Sequence, residues 1–249
     1  MYNDIKKRIR RRKLRFRMCM LLIITCTATI YLFTTPVIKV KDIIVEGNVV
    51  CTEDKIIELS GIEYGDNLLR LNMREITQNV LTNSYIESCD IKRTLFGNIY
   101  ISVQERQSAA ISTFGEDFVT IDKKGVVIEV LDSVSGISLP AVEGLDITEA
   151  IPGKTMVLSD ERKLNVFLKI FDNIAKDDFS AIIKGIDMNN LMSIIIKTAQ
   201  DINIKLGSIE NIEYKIKVSR AILEQDDSIK GLKGTIDVSF DGNPVFRQE

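Results

Sequence analysis

The longest uncharged stretch of the chain runs from Met18 to Ile38, between Arg17 and Lys39. Its apolar centre is Met20-Leu21-Leu22-Ile23-Ile24 and Ile30-Tyr31-Leu32-Phe33. About 20 helical residues at ~1.5 Å each cross a hydrocarbon core of roughly 30 Å. Only a helix satisfies its own backbone there without a neighbour. The stretch therefore predicts a transmembrane helix over 18–38, with Tyr31 near its outer end. Pro36 discourages further helix. A cleaved signal peptide is the competing reading. Against it, the apolar run exceeds a usual signal core, no Ala-x-Ala site follows, and Ile23-Ile24-Thr25 lacks the small residues that precede a lipoprotein cysteine.

Past the span the pattern changes to short elements. Val40 to Val45 reads as a strand, ended by Glu46-Gly47-Asn48. Thr52 to Leu59 reads as a helix capped by Thr52, with Ile56 and Leu59 on one face and Gly61 suited to its left-handed end. Gly65-Asp66-Asn67 is a turn. A second helix follows Asn72, with Glu75 as the capping-box partner and Ile76, Val80 and Leu81 as its apolar face. Ile86 to Arg93 is a strand with Cys89 and Ile91 on one face. After a turn at Leu95-Phe96-Gly97-Asn98, Ile99, Ile101 and Val103 alternate with polar neighbours as a half-buried strand. This order, strand–helix–helix–strand–strand, predicts a small two-layer α+β unit.

Beyond Glu105-Arg106 strands dominate. Ala109–Phe114, Phe118–Ile121 and Val126–Leu131 are predicted strands, the last two joined by Asp122-Lys123-Lys124-Gly125 as a hairpin. Ser138-Leu139-Pro140 and Gly144 read as a loop. Ser159 is the expected cap of a helix to about Ala175, with Leu164, Phe167, Leu168, Phe171 and Ile174 at helical spacing. Ile182–Met188, Met192–Thr198 and Ile202–Leu206 read as strands. Ser208 is the expected cap of another helix, with Ile209, Ile212, Ile216 and Leu223 as its stripe. Gly234 to Phe240 reads as the last strand, followed by Asp241-Gly242-Asn243 and a short tail. Both stripes read as core faces.

Charge adds direction to this pattern. Residues 1–17 hold nine Lys or Arg and a single acid, Asp4, a net +8, whereas the remainder carries a net −10. The whole-chain net charge of −2 conceals that split. Lys and Arg stay on the cytoplasmic side, so the N-terminus is expected inside and the rest outside. Beside a span, topology and anionic-lipid contact account for the basic run, and no nucleic-acid role is expected. The acidic outer region argues against outer partners that are strongly acidic themselves.

Composition also limits the chemistry. The chain has no histidine, which removes the commonest general base and metal ligand. Cys19 and Cys26 lie in the span; Cys51 and Cys89 lie outside it without metal-site spacing. A Cys51–Cys89 disulfide is compatible with an outer location, and a buried free thiol is the simpler reading of Cys89. Acidic pairs occur at Glu53-Asp54, Asp160-Glu161, Asp177-Asp178 and Asp226-Asp227, all at helix ends or loops where solvation and the helix dipole explain them. Ser133 and Ser135 have no His partner and no Ser-x-x-Lys spacing to a lysine. No catalytic residue, cofactor, metal or small-molecule substrate is expected.

The chain resembles the bacterial FtsQ/DivIB family of cell-division proteins. The resemblance rests on ordered motifs: Ile44-Val45-Glu46-Gly47-Asn48, Gly61-Ile62 with Gly65-Asp66-Asn67-Leu68-Leu69, Ser88-Cys89-Asp90-Ile91-Lys92-Arg93, and Ile101-Ser102-Val103-Gln104-Glu105-Arg106. Leu139-Pro140 with Gly144, Ile204-Lys205-Leu206-Gly207 and Gly234-Thr235-Ile236-Asp237-Val238-Ser239 resemble the family's later β region. One departure is Gln107-Ser108-Ala109-Ala110, where the family often has x-Pro-Val-Ala. The resemblance implies a basic tail over 1–17, the transmembrane helix over 18–38, a POTRA (polypeptide-transport-associated) domain over 39–108 and a β domain over 109–249.

It also implies a function: a non-enzymatic, membrane-anchored septal scaffold that binds two kinds of small single-span coiled-coil proteins, the FtsB/DivIC and FtsL types. Through them it would influence septal peptidoglycan synthesis. A POTRA-bearing transport accessory is the alternative, because fold alone does not separate the two. The resemblance further implies partner binding at the final strand, Thr235 to Phe240, continuing to Pro244-Val245-Phe246. If that strand is an open edge, its unpaired backbone groups suit strand addition. The expected partner-binding residues are Ile236, Val238, Phe240, Val245 and Phe246, with Phe246 either an aromatic anchor or a cover for the domain's own core.

Overall fold

The computed structural model describes residues 2–34, 38–94, 96–176, 179–225, 227–229, 231–240 and 242–248. The expectations placed on Pro36, Leu95, Asp177, Asp178, Asp226 and Asp241 lie outside the described residues. The fold is α+β, and it divides into two units, residues 1–82 with 86–105, and residues 83–85 with 106–249.

Helix α1 runs over Tyr2–Thr34, so it takes in the basic tail as well as the apolar stretch. Lys and Arg are strong helix formers, and a tail of them continues a helix readily. Within α1 the window Lys13–Tyr31 has a mean hydropathy of 1.4, long and apolar enough to cross a membrane. Leu21, Leu22, Ile23 and Ile24 are all exposed there, an arrangement that lipid rather than water accommodates. The hydroxyls of Thr25, Thr27 and Thr29 donate to the carbonyls of Leu22, Ile24 and Thr25, 2.8–3.0 Å away, which leaves few polar groups unmet. The helix fits single-pass membrane anchoring.

The rest of the first unit is β1 (Asp42–Glu46), α2 (Glu53–Ser60), α3 (Met73–Val80), β2 (Ile86–Arg93) and β3 (Asn98–Glu105). Its sheet has the order β1-β3-β2, with β1 parallel and β2 antiparallel to the central strand. Local chemistry sets the helix ends. The Thr52 hydroxyl accepts from the Lys55 N–H, and Gly61 closes α2 in the left-handed region at φ 65°. The Asn72 side chain accepts from the Glu75 N–H and donates to the Glu75 carboxylate, both at 3.4 Å. Ile43, Ile56, Ile76, Val80, Ile99, Ile101 and Val103 are buried, with Ile62, Leu68 and Ile86. Leu81, expected on the buried face of α3, is instead exposed as its C-terminal cap residue. Cys51 and Cys89 are not joined by a disulfide; Cys51 is buried and Cys89 half-buried. Burial, with Asp90 beside it, pushes the Cys89 thiol up from its ordinary pKa.

The second unit contains β4 (Ser108–Phe114), β5 (Asp117–Asp122), β6 (Val127–Leu131), β7 (Ala141–Glu143), β8 (Ile147–Glu149) and β9 (Val157–Leu158). It continues with α4 (Glu161–Lys176), β10 (Ile183–Asp187), β11 (Ile194–Thr198), β12 (Ile202–Gly207), α5 (Ile212–Gln225), β13 (Gly234–Asp237) and β14 (Val245–Gln248). Nine strands form one sheet in the order β14-β13-β12-β11-β10-β7-β4-β5-β6, and β8 pairs with β9 separately. The core gathers Phe167, Ile170, Phe171 and Ile174 of α4, Ile216 and Leu223 of α5, and Ile186, Ile196, Ile204 and Ile236 of the sheet.

Three expectations need correction here. The stretch read as a loop around Pro140 and Gly144 contains β7, which pairs in parallel with both β4 and β10. Ser159 does not cap α4. The Asp160 carboxylate accepts from the Arg162 N–H at 3.0 Å, and the Ser159 N–H donates to the Asp146 carbonyl. Nor does Ser208 cap α5, which begins four residues later. The Ser208 carbonyl instead accepts from Lys215 Nζ at 3.1 Å.

Candidate partner-binding site

The last three strands decide what surface the sheet offers. β12 pairs in parallel with β13, and β13 pairs antiparallel with β14, placing Ile236 opposite Phe246 and Asp237 opposite Val245. The expected final strand, Thr235 to Phe240, is thus shorter than its alternation suggested and is flanked on both sides. The edge belongs to β14. The Val238 N–H donates to the Lys205 carbonyl at 3.0 Å.

The five expected residues separate accordingly. Ile236 is fully buried and Val238 nearly so, both facing the core. Phe246 is half-buried and packs against that core. Its ring leans over Gly234, where an added Cβ would lie 2.8 Å from Phe246 Cζ. Covering the unit's own core is therefore what the Phe246 ring does. Phe240 and Val245 remain exposed, at 45% and 40%.

Asp237 organises the turn between the two strands. Burial pushes its carboxyl up, but the Ser239 hydroxyl at 2.6 Å, the Ser239 N–H at 3.0 Å and Lys205 Nζ at 3.4 Å more than offset this, so its pKa lies below the ordinary value. Beside the turn is a hollow of about 330 Å³ lined by Asn211, Tyr214, Lys215, Val238, Phe240 and Pro244, among others. Lys215 is buried, and its ammonium donates to the carbonyls of Leu206 at 2.8 Å and Ser208 at 3.1 Å. No carboxylate among the described residues pairs with it.

What the sequence reading missed is β14. Val245-Phe246-Arg247-Gln248 is only four residues long and does not alternate, so the turn residues Gly242-Asn243-Pro244 were the available signal for a hairpin back along β13. The remaining acidic pairs behave as solvated ends: Glu53 and Asp54 open α2, and Asp160 pairs with Arg162. Ser133 and Ser135 are exposed and bond to each other at 3.3 Å.

Comparison with known proteins matches both units. Residues 38–106 match a family described as POTRA domain, FtsQ-type, and residues 110–239 match one described as cell division protein FtsQ/DivIB, C-terminal. The cell division protein DivIB of Clostridium botulinum strain Hall is 30% identical over 246 residues, covering 98% of this chain and 94% of the relative. DivIB of Clostridium acetobutylicum is 31% identical over 85% of this chain and 83% of its own length. FtsQ of Syntrophotalea carbinolica is 24% identical over 84% and 77%. With two family matches in order and near-complete overlap with DivIB proteins, the chain belongs to the FtsQ/DivIB family of cell-division proteins.

Proposed function

We propose that the chain is a membrane-anchored, non-catalytic scaffold of the division septum. Its basic tail lies in the cytoplasm and both units lie outside. It binds small single-span coiled-coil proteins of the FtsB/DivIC and FtsL types and through them helps control septal peptidoglycan synthesis. The observation that carries the partner reading is the open side of β14, the edge of a nine-stranded sheet with exposed Val245 and Phe240 next to it. An edge strand offers backbone groups for strand addition, and alternate side chains then set specificity. The hollow beside the turn receives a side chain of the added segment. Buried Lys215, which no carboxylate among the described residues pairs with, favours an acidic one.

The test is a titration of the full chain in detergent with the outer segment of a DivIC-type protein. Val245→Glu and Phe240→Ala are expected to weaken binding while melting stays unchanged. Phe246→Ala is expected to lower the melting temperature, because its ring covers the core around Gly234. Unchanged affinity in the Val245→Glu, Phe240→Ala double variant would exclude β14 and its turn from the interface.

A further inference from the structure

The first unit carries two exposed aromatic rings at the end nearest the span. Phe96 is 80% exposed and Tyr64 65% exposed. Neither belongs to the buried face of any element, and both sit in turns. Those turns are fastened to the segment that emerges from the membrane. The Lys41 N–H donates to the Gly97 carbonyl at 2.8 Å, one residue from Phe96. Gly97, at φ 101°, comes so close that an added Cβ would lie 2.4 Å from the Lys39 carbonyl oxygen. On the other side, the Gly65 N–H donates to the Val40 carbonyl and the Val40 N–H to the Asp66 carbonyl, both at 2.9 Å, one or two residues from Tyr64. The Leu68 N–H donates to the Ile38 carbonyl at 2.9 Å. Ile38 to Lys41 is thus held between the two aromatic turns.

Chain connectivity fixes where this places the rings. The uncharged stretch ends at Ile38, and Lys39 is the first charge beyond it. The headgroup layer on each side of the hydrocarbon is only roughly 5–8 Å thick. Gly97 touches Lys39 directly and cannot lie far above that layer. Aromatic side chains at this depth partition into the interface, with apolar body inward and polar surroundings outward. The neighbouring charge is mixed, with Lys39 and Lys41 beside Glu63 and Asp66. The rings rather than net charge therefore make the contact.

We infer that Phe96 and Tyr64 form a second membrane contact: two aromatic side chains, one on each side of the emerging chain, rest in the outer interface of the bilayer. The inference depends on the reading of α1 as a membrane span. It gives the outer region a restrained base, because three points (the span and two rings) resist tilting where one does not.

The chain contains no tryptophan, so single Trp substitutions report without background. The full chain is reconstituted into phosphatidylcholine vesicles whose acyl chains carry bromine either near the carbonyl end or near the methyl end. Phe96→Trp and Tyr64→Trp are expected to lose emission with the shallow bromine and little with the deep one. Val49→Trp is the exposure-matched control, since Val49 is 88% exposed at the far end of β1. It is expected to keep its emission in both. Leu22→Trp reports the span and is expected to be quenched by the deep bromine. If Leu22→Trp is quenched and the two aromatic-site variants behave like Val49→Trp, the inference is overturned and the span stands. An unquenched Leu22→Trp overturns both.

Discussion

The two units that follow the apolar helix meet the same requirement, a sheet covered by helices, by opposite routes. In the first, three strands and two helices follow one another in sequence and pack with their neighbours. Each helix carries its own cap, Thr52 or Asn72. In the second, a nine-stranded sheet is assembled from separated pieces, with parallel pairings of β4 with β7, β7 with β10, and β12 with β13. Two adjacent residues show the contrast. The Glu105 carboxylate serves the first unit by accepting from the Val50 and Cys51 N–H groups at 2.7 and 2.8 Å. Arg106 serves the second through a buried ion pair with Asp122 at 2.9 Å. Local signals suffice where contacts are local, and fall silent where an element exists only because its neighbours do.

The largest expected effect tests whether each unit has its own core. Phe167 is fully buried, its ring centroid 4.4 Å from that of Phe171. Truncating a buried Phe to Ala costs ~3–5 kcal/mol, and a buried Ile ~2–5 kcal/mol. Phe167→Ala is expected to lower hydrogen-exchange protection of β10–β12 and leave β2–β3 protected, and Ile101→Ala the reverse. A single variant that unprotects both sets would show that the two cores are not independent.

A smaller effect isolates the edge. An added Cβ at Gly234 would lie 2.4 Å from the Arg247 carbonyl oxygen and against the Phe246 ring. Overpacking of this kind costs roughly 1–3 kcal/mol. Gly234→Ala is expected to speed amide exchange at 245–248 while β11 and β12 remain slow. Unchanged exchange there would show that β14 is held by more than its pairing with β13.

The smallest effect is acid sensitivity, shared by both units. Glu105 and Asp237 both have lowered pKa values. In each, burial pushes the carboxyl up, and hydrogen bonds, from Val50, Cys51 and Val49 or from Ser239 and Lys205, outweigh it. A lowered folded pKa contributes stability that is complete above the unfolded value of about 4 and is lost as pH falls through the folded value. Stability is therefore expected to decline gently below about pH 4. Glu105→Gln should flatten that decline in the first unit and Asp237→Asn in the second. An unaltered acid slope in both variants would assign the sensitivity to other carboxylates.

Legibility in the sequence followed the same division. The first unit's strands, both helices, both caps and the alternation of Ile99, Ile101 and Val103 were readable, because each signal lies within a few residues of what it specifies. In the second unit α4, α5 and the hairpin strands were readable from periodicity. The three-residue β7, the two-residue β9 and the four-residue β14 were not, since so few positions show no period. At the candidate site this mattered most. Ile236 and Val238 both face the core, but β13 ends at Asp237 and Phe240 is exposed, and alternation does not say which side of a strand carries a neighbour. The missed β14 moved the edge one strand outward, and it packs the Phe246 ring against the core, the second of its two expected roles.

The brevity of β7 also bears on how the large sheet comes into being. On one side of it β4, β5 and β6 are joined by short turns; on the other, β10, β11 and β12 are. Each trio is a meander of low contact order. Ala141–Glu143 is the seam between them, pairing with strands some 30 and 40 residues away along the chain. Loop-closure entropy must be met before such a pairing is rewarded. Three residues supply few hydrogen bonds to reward it, so the seam is expected to close after the two meanders. Until then the chain presents two raw sheet edges to its surroundings. Closing that seam, with Val142 opposite Ile186, removes a pair of aggregation-prone edges.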